Sequence, residues 1–182
     1  MFSLNVPLPP AVGRLADDLH AKRSGFDRVR DRHTLVCKRF GTDDVTAGGE
    51  AAGSPPPGPE ALARLREDLR PRLAPVDPFA VAITGVDAFE TPASGSGPVV
   101  YLAVESDGLV RLHRRLCAAY GAIEAIEGDA YVPHVTLARG GEPAVVREVI
   151  DGGVAFEPVR WRVHALDLYD PEFREVAATL EL

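Results

Sequence analysis

The sequence predicts an α+β fold in which two similar lobes enclose a central cleft. Short segments alternate apolar and polar residues as strands do, amphipathic helical stretches lie between them, and one histidine-containing pattern occurs once in each half. Alternating strands interleaved with helices are more typical of an α+β layer than of an all-parallel sheet. We expect a single bilobal domain over residues 1–182, with two pseudo-symmetric sheet-and-helix lobes that meet near residue 95.

The chain up to residue 71 contains three predicted strands and two predicted helices. Phe2 to Val6 alternates apolar and polar residues and stops at prolines, which end a strand. Leucines recur at helical spacing after Pro59, a residue that suits a first helical turn. Residues 41–58 are rich in glycine and proline and are predicted to be a loop, either a mobile connection or a lid. The predicted strands are 2–6, 26–30 and 34–40, and the predicted helices are 11–22 and 59–71.

The chain after residue 71 repeats this mixture. Ser106 is a candidate N-cap, because its hydroxyl can accept a hydrogen bond from the first turn of an apolar-striped helix that runs to residue 120. Pro143 opens a second, shorter helix. The predicted strands are 79–83, 99–104, 131–138, 159–165 and 176–182. The order β-α-β-β-α-β-β-α-β-α-β-β follows.

Composition excludes several classes of protein. The chain has 46% hydrophobic and 26% charged residues, which is typical of a globular protein. Its net charge of −7 argues against a protein that coats duplex DNA, although a local cationic pocket for one phosphate remains compatible. Cys37 and Cys117 form neither a disulfide framework nor a metal-binding spacing. No signal peptide and no apolar run of membrane-spanning length is evident, so we expect a cytoplasmic protein without a membrane partner.

The repeated pattern carries the candidate chemistry. It occurs in residues 31–41 and again in residues 132–141, each time as a histidine, a nearby threonine, an apolar stretch, a basic residue and a glycine. Because side chains alternate along a strand, His134 and Thr136 point to the same face. A duplication would bring His33 of the first copy opposite His134. With an ordinary pKa of about 6.5, one imidazole of such a pair can accept a proton while the other donates one.

The residues from Pro133 to Arg139 resemble the second signature of the 2H phosphoesterases, a family that includes 2′-5′ RNA ligase-like proteins and RNA 2′,3′-cyclic phosphodiesterases. The resemblance implies a bilobal fold and chemistry without a metal or cofactor on 2′,3′-cyclic or 2′-5′ phosphodiester bonds. It implies that His33 protonates the leaving 3′ oxygen and His134 activates water, or the reverse, while Thr136 contacts phosphate. The implied partner is a 2′,3′-cyclic phosphate on an RNA end or a nucleotide, and we expect a monomer.

The first copy departs from the family pattern, since Thr34 follows His33 directly and Leu35 occupies the hydroxyl position. Three interpretations remain open. A bulge could bring His33 and Thr34 to one side. Thr34 could instead support the strand from behind, with a single hydroxyl in the site. Alternatively, the half-site is degraded, and the protein binds a nucleotide or an RNA end without turning it over.

Other residues are candidates for the same site. Arg139 is a candidate phosphate ligand. Lys38 and Arg39 point to opposite faces of a strand, so only one of them can reach the cleft. We take Lys38 as the candidate substrate-binding residue of the two. Tyr131 could stack on a base or belong to the edge of the core. A structural role is expected for the three remaining histidines, His20, His113 and His164.

Overall fold

The computed structural model describes residues 1–19, 25–41, 58–93, 95–151 and 157–182. In these residues the chain forms nine β-strands and four α-helices. The strands are Phe2–Val6 (β1), Arg28–Val29 (β2), Leu35–Phe40 (β3), Phe79–Phe89 (β4), Val99–Glu105 (β5), His134–Arg139 (β6), Val159–Val163 (β7), Ala165–Asp170 (β8) and Glu175–Glu181 (β9). The helices are Pro10–Asp18 (α1), Gly58–Leu73 (α2), Asp107–Tyr120 (α3) and Pro143–Asp151 (α4). A short 3₁₀ turn spans Gly128–Ala130.

The strands form an antiparallel sheet in the order β7-β4-β5-β6-β3-β1-β8-β9, with β2 also paired to β6. This confirms the predicted α+β class. One half of the sheet, β3-β1-β8-β9, takes strands from both ends of the chain, and the other half takes strands from its middle. Residue 95 falls between β4 and β5, within that second half. The halves join where Leu35 of β3 pairs with Val135 of β6.

Most predicted elements occur with modest changes at their ends. The Ser106 hydroxyl caps α3 by accepting a hydrogen bond from the Leu109 N–H at 3.1 Å, as predicted. The strand predicted to end at Ala165 is instead interrupted. β7 ends at Val163, His164 belongs to neither strand, and β8 begins at Ala165. Residues 42–57, most of the predicted loop, lie outside the described residues, as do residues 20–24 at the end of the first predicted helix.

The core lies between one face of the sheet and the helices. Leu35 and Val135, which join the two halves, are fully buried, as are Leu109 and Leu116 on the inner face of α3. Burying one such side chain contributes about 1.5–3 kcal/mol. Because the odd-numbered residues at this junction enter the core, their even-numbered neighbours are left on the opposite face. None of the described helices has the length and apolar character needed to cross a membrane.

Candidate active site

A cleft of about 860 Å³ lies over the junction of the two half-sheets. The Leu35–Val135 pair, whose side chains enter the core, sets the register of the strands there. Since the strands are antiparallel, this register places Thr34 beside Thr136, and Val36 beside His134. These four flanking side chains line the cleft: Thr34, Val36, His134 and Thr136. The structure therefore brings the two copies of the repeated pattern together at one site.

His134 lies at the start of β6 in a partly aromatic wall. Its Nδ1 is 2.7 Å from the carbonyl oxygen of Val132. Because a carbonyl can only accept, Nδ1 carries the hydrogen, and Nε2 is the nitrogen that can take up a proton. The His134 ring meets Phe89 edge-on at 5.1 Å and Tyr101 at 5.3 Å between centroids. These contacts fix the ring plane at the cleft wall.

The same surroundings favour the neutral form of His134. Burial lowers the pKa of the imidazole below its ordinary value of 6.5, and this effect outweighs the opposing hydrogen bond to Val132. The positive charges of Arg39 and Arg139 lower the pKa further. A histidine with a lowered pKa is neutral at pH 7 and can therefore act as a base.

His33 lies just before β3 and is half-buried. Its Nδ1 is 3.3 Å from the backbone carbonyl oxygen of Thr136, so the first motif reaches the strand that carries the second. This contact assigns the hydrogen to Nδ1, as in His134. His33 does not line the cleft, whereas the next residue, Thr34, does. Thr34 therefore lies on the cleft side of the chain, and the role of its hydroxyl stays a prediction.

The local two-fold axis of the strand pair explains the departure in the first motif. A rotation about the Leu35–Val135 pair exchanges Thr34 with His134 and Val36 with Thr136. A hydroxyl therefore occupies the place that matches the second histidine, and an apolar side chain occupies the place that matches the second threonine. His33 stands one residue earlier in the chain and approaches β6 through the Thr136 carbonyl.

Arg139 lines the cleft because β6 contains an irregularity. Arg139 lies five positions after His134, and because side chains alternate along a strand, a regular strand would place the two on opposite faces. The pairing of β6 with β5 shifts between Thr136 and Ala138, which inserts one extra residue and turns Arg139 towards the cleft. The sequence could not show this bulge.

Further arginines lie beside Arg139 in an otherwise acidic protein. Partial burial, followed by the positive charges of Arg30 and Arg28, lowers the pKa of Arg139. Arg30 also lines the cleft. Mutual repulsion of this kind is relieved by a bound anion such as phosphate. Sequence reasoning missed Arg30, although the alternation Arg28, Arg30, Arg32 along an extended segment could have indicated it.

Lys38 does not reach the cleft, contrary to the prediction. Its Nζ lies 2.7 Å from Oε2 of Glu127, and both side chains are 1% exposed. The preceding even residue, Val36, faces the cleft, but Lys38 turns inward because β1 and β3 are irregularly paired between Leu4 and Asn5, opposite Val36 and Lys38. Arg39 lines the cleft instead.

Glu127 and His113 fix the chain that leads from α3 into β6. His113 is buried, with Nδ1 2.7 Å from the Cys37 carbonyl oxygen and Nε2 accepting from the Gly128 N–H at 2.9 Å. It stacks on Tyr131 at 3.7 Å, and the Tyr131 hydroxyl donates to the carbonyl of Val36. His113 therefore has the expected structural role, and Tyr131 both packs against it and lines the cleft.

The remaining candidates lie away from this site. His164 is exposed between β7 and β8 and does not line the cleft. His20 lies outside the described residues. Among the residues that the structure does describe, no three or more histidine, cysteine, aspartate or glutamate side chains cluster in a way that could hold a metal ion.

Comparisons with known proteins agree with this fold. The family model for the 2′-5′ RNA ligase superfamily matches residues 53–172. The fold is similar to the crystal structure of TT0787 of Thermus thermophilus, with 24% identity, coverage of 100% of this chain and 97% of that chain, and a TM-score of 0.59. It is also similar to Escherichia coli LigT in complex with 3′-AMP, with 19% identity, coverage of 100% and 93%, and a TM-score of 0.52. No curated protein sequence matches significantly. The chain belongs to the 2′-5′ RNA ligase superfamily, within the 2H phosphoesterases.

Proposed function

We propose that the protein is a phosphodiesterase that opens 2′,3′-cyclic phosphates at RNA ends or on nucleotides and leaves a 2′-phosphate. The observation that carries this proposal is the meeting of the two motifs at one junction: Thr34, His134 and Thr136 line one cleft, and the His33 ring contacts the backbone of Thr136. Membership of the 2′-5′ RNA ligase superfamily supports the same class of bond.

In this proposal His134 is the base and His33 is the acid. Nε2 of His134 takes a proton from water, and the water oxygen forms a new bond to phosphorus. The bond between phosphorus and the 3′ oxygen breaks, and His33 gives its proton to that oxygen. The product carries a 2′-phosphate and a free 3′-hydroxyl. Each proton transfer is typically worth about 10²–10⁴ in rate.

The polar side chains of the cleft hold the phosphate during these transfers. The hydroxyls of Thr34 and Thr136 donate to its non-bridging oxygens, and Arg39 and Arg139 balance the negative charge that develops there. These roles need no metal ion. When the 5′-hydroxyl of another RNA takes the place of water, the same proton transfers form a 2′-5′ phosphodiester bond.

A second candidate function is binding without turnover. Its specific support is the local two-fold symmetry, which places Thr34 and Val36 where the second motif has His134 and Thr136. A cleft of this kind still binds phosphate through its threonines and arginines. It lacks an acid at the position symmetric with His134.

Turnover in the presence of a chelator separates the two candidates. Wild-type protein in EDTA is given adenosine 2′,3′-cyclic phosphate, and the products are resolved by chromatography. We expect the 2′-monophosphate to accumulate, and we expect His134→Ala to abolish it while circular dichroism stays unchanged. His164→Ala is the matched control, since it removes an exposed histidine outside the cleft. Saturable binding without product would refute the proposal and favour the second candidate.

A further inference from the structure

The hairpin that joins β8 to β9 stands at the rim of the cleft. Tyr169, Pro171 and Arg174 of this hairpin line the cleft, although the repeated motifs do not include them. Phe173, at the tip, is 60% exposed. Among the large exposed hydrophobic residues that the structure describes, it is the one aromatic residue. Phe173 does not itself line the cleft, but it directly precedes Arg174, which does.

Arg32 ties this hairpin to the first motif. Its guanidinium lies 4.3 Å from the centroid of the Tyr169 ring. One of its terminal nitrogens donates to the Arg174 carbonyl at 2.7 Å and to the Tyr169 hydroxyl at 3.3 Å. Arg32 immediately precedes His33 in the chain. The hairpin tip is thus held at a fixed position relative to the candidate catalytic residues.

The backbone at the tip has an uncommon conformation at Arg174. Arg174 has a φ of +57°, a conformation that glycine adopts without steric cost. In the described residues only one other non-glycine, Ala125, has a positive φ, and it too lines the cleft. Strained backbone of this kind clusters at functional sites. The nearby Glu172 carboxylate lies beside Gly58 at the start of α2 and does not line the cleft.

We propose that the β8–β9 hairpin forms a second subsite, which binds the nucleotide on the 5′ side of the reacting end. Phe173 stacks on its base, and Arg174 with Arg32 contacts its phosphate. The inference rests on the proposed function in one respect, because it assumes that the terminal phosphate occupies the cleft. It makes a single-stranded RNA end, and not a free mononucleotide, the preferred substrate.

Binding measurements test this subsite independently of turnover. The probes are a short oligoribonucleotide with a 3′-phosphate end, which is not hydrolysed, and the matching nucleoside 3′-phosphate. Base–aromatic stacking and phosphate contacts are large enough for Phe173→Ala and Arg174→Gly each to weaken oligonucleotide binding about tenfold. Mononucleotide binding should change by less than about twofold for Phe173→Ala, because stacking on the second base is the contact that is lost. Arg174→Gly should also reduce the slope of log Kd against log salt by about 0.7, as expected for the loss of one single-strand phosphate contact.

Two controls guard against a purely structural effect. Phe173→Trp keeps an aromatic face and should retain wild-type affinity. Arg162→Ala removes an exposed arginine from β7, at the opposite end of the sheet, and should change neither affinity nor salt slope. Glycine suits the positive φ of residue 174, so Arg174→Gly should fold normally.

The outcomes distinguish the subsite from the proposed function. If Phe173→Ala and Arg174→Gly bind the oligonucleotide as tightly as wild type, the subsite is refuted, and the exposed hairpin is better explained as a protein-binding surface. If oligonucleotide and mononucleotide affinities fall equally, the subsite is also refuted, because the hairpin then acts only on the terminal site. Selective loss of oligonucleotide binding in a protein without turnover would support the subsite and refute the proposed enzyme.

Discussion

Replacement of Glu127 by glutamine removes one charge from a buried ion pair with almost no change in volume. In the native protein Oε2 of Glu127 lies 2.7 Å from Nζ of Lys38, and both side chains are 1% exposed. The carboxylate also accepts backbone hydrogen bonds from Arg39 at 2.9 Å and from Ile123 at 3.0 Å. In the variant the Lys38 ammonium keeps the Arg39 carbonyl at 2.5 Å, the Phe40 ring at 5.4 Å from its centroid and an uncharged amide, but no negative charge, among these partners.

The expected cost follows from this burial. Loss of one partner from a buried pair typically destabilises a protein by about 3–5 kcal/mol, because the other charge is left uncompensated. A domain of ordinary stability has only about 5–15 kcal/mol in total. Removal of both charges, as in Lys38→Met with Glu127→Gln, avoids the uncompensated ammonium. We therefore expect the double variant to be more stable than Glu127→Gln alone.

Urea denaturation followed by circular dichroism measures these differences. Glu60→Gln is the matched control, since it breaks the exposed Glu60–Arg64 pair, whose side chains are 51% and 57% exposed. Such a surface pair contributes about 0.5 kcal/mol or less. If Glu127→Gln costs no more than Glu60→Gln, the argument that this pair fixes the chain entering β6 is refuted.

The pH dependence of stability gives the same pair a second signature. Burial alone raises the pKa of Glu127, but hydrogen bonds from Lys38, Ile123 and Arg39 lower it by more, so the pKa lies below its ordinary value of 4.5. A carboxyl with a lowered folded-state pKa contributes stability that is complete above the unfolded pKa. That stability is lost as the pH falls from 4.5 through the lowered value. Glu127→Gln should flatten this part of the stability profile, and an unchanged profile would contradict the assignment.

Three further predictions concern the cleft and the core. Phe89→Ala exposes His134 and should raise its pKa towards 6.5, so the acidic limb of kcat/KM should move to higher pH; a stationary limb would contradict the burial argument. Val36→Thr adds a hydroxyl beside His134 and should raise kcat/KM about fivefold, equivalent to one hydrogen bond of about 1 kcal/mol; a lower value would show that the cleft does not place phosphate there. A thiol reagent should label the half-buried Cys117 of the folded protein before Cys37, which is 0% exposed and whose pKa burial raises; equal labelling rates would contradict the fold of β3.

Periodicity predicted the elements of the fold well because each pattern is local. The apolar stripe of α3 and its Ser106 cap needed no long-range information, and their positions are confirmed. The break at His164 was missed because Val159 to Ala165 alternates without a gap, and only the sheet shows two strands there. Pairing partners are equally invisible in a single sequence, so the return of β8 and β9 to β1 could not be foreseen.

The candidate site was harder to predict because the alternation of side chains along a strand, from which we assigned residues to the two faces, fails at irregular positions. This alternation assigned Thr136 to the same face as His134, and both line the cleft. It could not assign Arg139, which a bulge in β6 turns into the cleft, or Lys38, which an irregular pairing of β3 turns into the core. The partner of Lys38 lies 89 residues away in a loop, a contact that no local pattern encodes.

The most direct test of the two-motif mechanism compares kcat/KM of the wild type, His33→Ala, His134→Ala and the double variant on an oligoribonucleotide with a 2′,3′-cyclic end. An acid and a base that act in one displacement should behave as a unit. Each single change should lower kcat/KM by about 10²-fold or more, and the double change should lower it little further. Wild-type turnover by His33→Ala, with His134→Ala inactive, would contradict the account and leave a site with one histidine.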